Sequence, residues 1–498
     1  MKVVLETRGP ADARADVVVV GRYAGESRLS PVLQAIDAKL GGLLARALET
    51  ERFEGKTGQV SHLFTDGKLP ARRVMVVGLG RRQEAGTEAL RRAASTAARR
   101  SRDLGAVSVA VSLPADGVSP RARAQAVVEG ALLGTYRFDR YLREKSTKAL
   151  ESLAVIEPER RRQAAAREGA RVGEAWARAT AVARDLVNEP ANVVTPTQLA
   201  ERAQELAGAS GVKVRVLERE DCAKLGMGAY LGVAQGSEQP PKFIHLTYAP
   251  RGRARKRLAL IGKGITFDSG GLDLKSAEGM LRMKYDMAGS AAVLGVFDAL
   301  PRLRLPVEVH GLVAATENMP SGTAQRPGDV VRAMNGTTIE IGNTDAEGRL
   351  TLADALAYAV QEVKPDEMVD MATLTGAVVI ALGLGIVGMM ASHDGVAGRI
   401  LAAADEAGER MWRLPLHEEY REGLKSEVAD LNNVSSQRGA GAIIGGLFMR
   451  EFAGGIPWAH LDIAGTAYAE REWALGPKGA TGVAVRTILA YLTRAGRR

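Results

Sequence analysis

A single cysteine, Cys222, is all the thiol chemistry in this chain of 498 residues. That excludes an internal disulfide and fits a reducing, cytoplasmic setting. No low-complexity tract and no internal repeat is present, so repeat architectures drop out. The N-terminal stretch MKVVLETRGPADARAD lacks an apolar core, so no secretory signal is expected. Long uncharged runs are nearly absent. The exception, MATLTGAVVIALGLGIVGMM (371–390), has twenty residues, long enough to cross a bilayer. Its glycines and threonines break it up, and buried parallel strands are also continuously apolar. An interior strand and loop is expected there, with no membrane partner. Nucleotide signatures are missing too. GLG (78–80) follows a strand-like run, but position 83 is Gln where the third glycine of a dinucleotide fingerprint belongs.

What charge there is lies unevenly. The net balance is +9. Residues 1–180 hold 32 Lys+Arg against 21 Asp+Glu, a balance of +11, and the remainder holds 35 against 37. Two readings stand: a weak, sequence-independent DNA-binding surface, or an arginine-rich solvated one.

The length is large for one core, so two domains are expected. The first 158 residues alternate strand-like runs at 16–20, 73–80, 107–113 and 153–157 with helix-like stretches at 86–105 and 121–136. That pattern predicts an N-terminal α/β domain over 1–158. A polar, Arg-rich connector helix follows over 159–187, stopped by the prolines of NEPANVVTP (188–196). Residues 188–498 alternate again, predicting a catalytic α/β domain with a mixed central sheet flanked by helices. Strand-like runs lie at 213–218, 242–250, 257–264, 307–315, 330–343 and 368–375, and Asn335-Gly336 marks a tight hairpin. Helices are expected near 289–300, 348–363, 396–410, 440–453 and 479–494.

Three clusters carry the chemistry. GKGITFDSGGLDLK (262–275) holds Lys263, Asp268 and Lys275 among glycines. No P-loop fits it. Its FDSGG looks like the nucleophile loop of chymotrypsin-like proteases, but no His–Asp framework supports Ser269 as a nucleophile. MKYDMAGSAAVLG (283–295) places Asp286 before a small-residue helix, and NTDAEGRL (343–350) places Asp345, Glu347 and Arg349 on alternate positions. Each acidic residue singly suits a helix cap. Together, at strand ends of an α/β sheet, Asp268, Asp286, Asp345 and Glu347 point toward the ligand crevice. Four buried carboxylates need counter-charge, which two divalent cations would supply. An oxygen-rich site suits Mg, Mn or Zn. None of the six histidines lies in these clusters.

These segments resemble the leucyl (cytosol) aminopeptidases, the di-metal hexameric exopeptidases. NTDAEGRL, IGKGITFDSGG (261–271) and MKYDMAGSAAV (283–293) carry the resemblance, supported by RDLVNEPANVVTP (184–196), ENMPSGTAQRPGDV (317–330), ATLTGA (372–377) and WAHLDIAGTA (458–467). It covers essentially 184–495 and is weaker in the N-terminal domain, which it implies to be macro-domain-like. The resemblance implies that Lys263, Asp268, Asp286 and Glu347 hold one metal. Asp268, Asp345 and Glu347 would hold the other, with Asp268 and Glu347 bridging. The metals would be Mn or Zn, with Mg or Co as alternatives. Lys275 would stabilise the tetrahedral oxyanion, and Arg349 would hold a bicarbonate that acts as general base. Met283, Thr373, Gly376, Ala464 and Ala467 would line the side-chain pocket. The implied reaction is hydrolysis of N-terminal leucine and other apolar residues from peptides by a metal-activated bridging water. A homohexamer is implied as well. A di-metal phosphoesterase is the other enzyme reading, but no phosphate-binding motif accompanies the carboxylates. One departure stands out: after the glycines the chain reads LDLKS, with Asp273 and Ser276. If 273–275 is extended, Asp273 and Lys275 share a side, and an ion pair between them is expected.

Overall fold

The computed structural model describes residues 1–114, 116–145 and 148–497. They form two compact units, Met1–Arg178 with Arg471–Lys478, and Ala179–Glu470 with Gly479–Arg498. A helix runs over Arg160–Asn188, and the division between units falls within it.

The first unit is built on six strands: β1 (Lys2–Glu6), β2 (Val17–Ala24), β3 (Val60–Phe64), β4 (Arg73–Arg81), β5 (Ser108–Ser112) and β6 (Ser152–Ile156). Their order is β1-β6-β5-β2-β4-β3, parallel except for the β3–β4 pair. Side chains alternate across the sheet. Val17, Val19, Met75 and Val77 pack under the helices Thr87–Asp103 and Pro120–Gly134. Val18, Val20, Val74 and Val76 pack under Pro31–Lys39 and Leu43–Thr50. With both faces covered, β2 has no polar position in Val17–Val20, which explains the unbroken valine run.

The second unit contains β7 (Lys213–Leu217), β8 (Lys242–Tyr248), β9 (Arg257–Asp268) and β10 (Glu308–Asn318). Next come the hairpin strands β11 (Val330–Arg332) and β12 (Thr338–Glu340), then β13 (Glu367–Ala372), β14 (Val387–Ala391), β15 (Met411–Arg413), β16 (Leu431–Asn432) and β17 (Trp458–Asp462). Eight of them form one mixed sheet in the order β15-β14-β17-β13-β9-β10-β8-β7. At its centre β17, β13, β9 and β10 are mutually parallel. Their carboxyl ends therefore open on the same edge, where α/β sheets bind ligands.

The 371–390 stretch is more structured than a strand and loop. It contains the end of β13, the short helix Gly376–Leu382 and most of β14. Among the described residues no helix is long and apolar enough to cross a membrane. Asn335-Gly336 does turn a hairpin, β11 to β12, with Gly336 at φ +92°.

Candidate metal centre and active site

β9 carries two of the three functional side chains of its cluster. Its run RLALIGKGITFD is apolar up to Lys263, so Lys263 enters the interior with only 3% of its surface exposed. A buried ammonium needs partners. Its Nζ lies 2.7 Å from Asp286 Oδ2, 2.7 Å from Glu347 Oε1, and donates to the Thr373 carbonyl at 3.0 Å. Burial works against its charge, but Asp286, Glu347 and Asp268 outweigh that, so its pKa is raised. The lysine passes against the start of the helix Glu347–Tyr358, and only glycine fits there. A Cβ on Gly348 would lie 2.5 Å from Lys263 Cε.

At the end of β9, Asp268 Oδ1 accepts from the Gly270 amide at 2.9 Å and from Asn318 Nδ2 at 2.8 Å. Its Oδ2 faces Lys275 Nζ at 2.9 Å, and the same ammonium pairs with Asp345 Oδ1. The chain reverses through Gly270 and Gly271, at φ +89° and +69°, a left-handed conformation that suits glycine. Asp286 follows the 3-10 turn Met283–Tyr285 and precedes the helix Ala288–Leu303; Thr373 Oγ1 donates to its Oδ1 at 2.7 Å.

The helix-cap reading of NTDAEGRL does not hold for Asp345. The N-cap position is Ala346, with no side-chain cap bond. Glu347 and Arg349 lie in the first helical turn, so they do not sit on an extended alternation with Asp345.

Asp268, Asp286 and Glu347 each bring a carboxylate oxygen within 4.8 Å of the other two. Among the described residues Glu347 Oε2 is buried with no hydrogen-bond partner, and Oε1 meets only the Lys263 ammonium. Burial, then the Asp268 charge, pushes the Glu347 carboxyl up to about 8. Burial also raises Asp286 to about 6, Lys263 opposing and Asp268 reinforcing, and raises Asp345. Four carboxylates thus face two ammonium groups, Lys263 and Lys275. This shortage of positive charge at an oxygen-rich cluster is what divalent cations would make good, so the residues present fit a metal site.

Arg349 is buried, and burial lowers its pKa. Its Nη1 donates to the Asn433 carbonyl at 2.6 Å, while Nε has no partner and no carboxylate pairs with it among the described residues. Such a guanidinium is suited to an anion.

The residues expected to line the pocket are placed differently from one another. Thr373 is drawn into the carboxylate cluster through Asp286 and Lys263. Met283 opens the 3-10 turn before Asp286. Gly376 begins the helix Gly376–Leu382 in open space, and Ala464 is half-buried beyond β17. Ala467 is buried, and its carbonyl accepts from the Thr481 amide at 3.0 Å. The expected Asp273–Lys275 pair does not form. Lys275 turns to Asp268 and Asp345, whereas Asp273 Oδ2 accepts from the Thr344 amide at 2.7 Å.

Sequence reasoning assigned no role to three supporting residues. Asn318 joins Asp268 to the Thr344 carbonyl. Asp462 accepts from Thr375 Oγ1 at 2.6 Å and from the Leu374 amide, tying β17 to the segment after β13. Both lie in motif blocks, 317–330 and 458–467, and a polar residue at a strand end was their signal. Asn433 accepts from the amides of Gly342 and Asn343 and donates to the Asn343 carbonyl, fixing the carboxylate loop. It lies outside every motif block and had none.

Comparison with known proteins identifies the family. Residues 181–489 match the model of the cytosol aminopeptidase family, catalytic domain, and residues 18–145 match that of the family's N-terminal domain. A probable cytosol aminopeptidase of Geobacter sp. (strain M21) is 46% identical over 99% of this chain and 100% of its own length. One from Sulfurihydrogenibium sp. (strain YO3AOP1) is 42% identical over 99% and 98%. Among solved structures, a variant of tomato leucine aminopeptidase superposes with a TM-score of 0.90 at 38% identity, covering 99% of this chain and 96% of that one. The bottromycin maturation enzyme BotP in complex with Mn gives 0.86 at 40% identity, covering 97% and 100%. The chain belongs to the cytosol aminopeptidase family, a family of metal-dependent aminopeptidases.

Proposed function

We propose that the protein removes N-terminal leucine and other apolar residues from peptides, using two divalent cations, Mn or Zn, held by Lys263, Asp268, Asp286, Asp345 and Glu347. The observation that carries this reading is the buried Asp268–Asp286–Glu347 cluster, which with Asp345 sets four carboxylates against only the two ammonium groups of Lys263 and Lys275. When bound, the cations supply Lewis-acid polarisation of the scissile carbonyl and lower the pKa of a bridging water.

The chain's own residues supply the rest. Lys263 holds Asp286 and Glu347 in register from beneath, and as a ligand it would give up its proton. Lys275 carries a positive charge raised on a flexible stem beside Asp268 and Asp345, where it can stabilise the oxyanion. Arg349 offers its guanidinium to a bicarbonate ion, which would take the proton of the attacking water. Small residues at Gly376 and Ala464 leave room for a leucine-sized side chain. The reading includes domain limits at 1–158, 159–187 and 188–498, a homohexameric assembly and a cytoplasmic location. The test is hydrolysis of an L-leucyl anilide after chelation, with and without added Mn or Zn. Turnover that survives complete metal removal would sink the proposal.

A second role rests on the +11 balance through residue 180: weak DNA binding without sequence preference. Some of these arginines pair with neighbouring carboxylates, among them Arg8 with Glu6, Arg92 with Glu88, Arg162 with Glu159 and Arg171 with Glu168, which leaves the net balance unchanged.

A further inference from the structure

Asp273 is one of the two residues, with Ser276, by which this chain departs from the expected motif, and its place in the site differs from the one its spacing suggested. Its neighbours Leu272 and Leu274 are exposed, while Asp273 itself turns inward and is half-buried. The partner it meets is Thr344, which is fully buried and directly precedes Asp345.

The contact is two-way. The Asp273 amide donates to Thr344 Oγ1 at 2.8 Å, and the Thr344 amide donates to Asp273 Oδ2 at 2.7 Å. The threonine hydroxyl has one proton, and its shorter acceptor is the Gly270 carbonyl at 2.7 Å rather than Asp273 Oδ2 at 3.1 Å. Asp273 Oδ2 is thus left to hold the Thr344 amide, and a bond from an amide to a carboxylate is about twice as strong as a neutral one. On the other side, the Lys275 amide donates to the Ser269 carbonyl at 2.9 Å. The result is a closed circuit. Asp273 is two residues before Lys275 and is bonded to the residue before Asp345, while Lys275 and Asp345 pair through their side chains. The glycine loop and the carboxylate loop are therefore joined twice, once by backbone-directed bonds and once by the pair that faces the site.

We propose that Asp273 is a positioning residue that fixes Asp345 against Lys275 and thereby sets how tightly the centre holds the cation at Asp345. The inference rests on the assignment of Asp345 as a metal ligand made above. A side chain that merely stabilised the loop would change the melting temperature and leave cation affinity alone.

The experiment is calorimetric titration of Mn into the metal-stripped full-length protein, with melting temperatures measured in parallel. Asp273→Ala is expected to weaken one of the two Mn sites by about 10- to 100-fold, the range for residues that orient metal ligands. Asp273→Asn still offers an oxygen to the Thr344 amide, so it is expected to recover most of that loss. If Asp273→Ala does not fold, Asp273→Ser reports on the same link, since it gives up the carboxylate that holds the Thr344 amide, and the same Mn site is expected to weaken. Wild-type Mn affinity in Asp273→Ala, or in Asp273→Ser where that variant replaces it, overturns the inference. So does an equal loss in Asp273→Ala and Asp273→Asn. Asp345→Asn separates the two levels. If it weakens Mn binding while Asp273→Ala does not, only the positioning role fails. If neither variant weakens it, the ligand assignment fails and takes the positioning role with it.

Discussion

Lys263 Nζ stands 2.7 Å from Glu347 Oε1, where the helix carrying Glu347 begins. A strand from the sheet centre and a helix start thus share one buried ion pair, and the other Glu347 oxygen is left without a hydrogen bond. Glu347→Gln keeps the shape and removes the charge, and an amide oxygen is a poor bridge between hard cations. Leucyl anilide turnover should fall by orders of magnitude, and metal content after dialysis should drop from two ions per chain toward one. A variant that keeps both ions and near-normal turnover would show that Glu347 does not bridge.

Gly348→Ala should disturb the same place without touching any charge. Its methyl group would lie 2.5 Å from Lys263 Cε, so the lysine must move. Overpacking of this kind costs about 1–3 kcal/mol. Denaturant unfolding measures that loss, and metal content should fall with it. Unchanged metal content would mean that Lys263 can leave without consequence for the ions.

The two lysines should separate experimentally. Lys275→Ala is expected to leave metal content near wild type and lower kcat by about 10²–10³, the scale for losing one oxyanion stabiliser. Lys263→Ala should lower bound metal. Equal metal loss in both variants would refute the division of roles.

A pH effect on stability is expected away from the site. His245 Nε2 lies 2.8 Å from His310 Nδ1, His310 Nε2 lies 2.8 Å from Glu308, and His245 Nδ1 lies 3.1 Å from the Tyr358 hydroxyl. Burial, then His310 and Arg215, pushes His245 down to about 4. Burial also lowers His310, with Glu308 opposing. Between pH 6.5 and 4 the unfolded chain therefore binds more protons at His245 than the native one. Stability from this group is complete above pH 6.5 and is lost as pH falls toward 4. Melting temperatures over this range should fall less in His245→Gln than in wild type. Parallel curves would assign the acid sensitivity elsewhere.

DNA binding by the arginine-rich surface, if present, should show as a gel shift of the full-length protein at low salt. The logarithm of its affinity should fall linearly with that of salt concentration. No shift at low salt would reduce the surplus charge to surface composition.

Much of this centre was legible because chemistry forced rare residue types into apolar surroundings. Lys263 and Asp268 interrupt an otherwise buried strand, and glycines beside Asp268 and Glu347 mark close approaches. The strands of the central sheet were legible from their apolar stretches, as at 258–262 of β9 and 311–315 of β10. β1 and β3 were missed. They are short edge strands with half-exposed alternation, a weak signal beside β2 and β4. β14 and β17 were missed as well, the first because its residues were absorbed into a longer apolar run. The Asp273–Lys275 pairing failed for a simple reason. Sharing a side says where two side chains start, and Thr344, which is distant in sequence, decided where Asp273 ended.

Residues Arg471–Lys478 belong to the first unit although almost all of the second precedes them in the chain. Within that unit Leu475 packs with Leu133 and Ala177, Ser95 Oγ donates to the Ala474 carbonyl at 2.6 Å, and Arg99 pairs with Glu472 at 2.8 Å. During synthesis the ribosome delivers residue 178 long before residue 471. At ordinary elongation rates the gap is about 15–60 s. For that interval the earlier part of the unit lacks the contacts that Leu475, Ala474 and Glu472 supply. Completion of the first unit is thus timed by C-terminal translation, and a nascent chain stalled before residue 471 would lack these contacts.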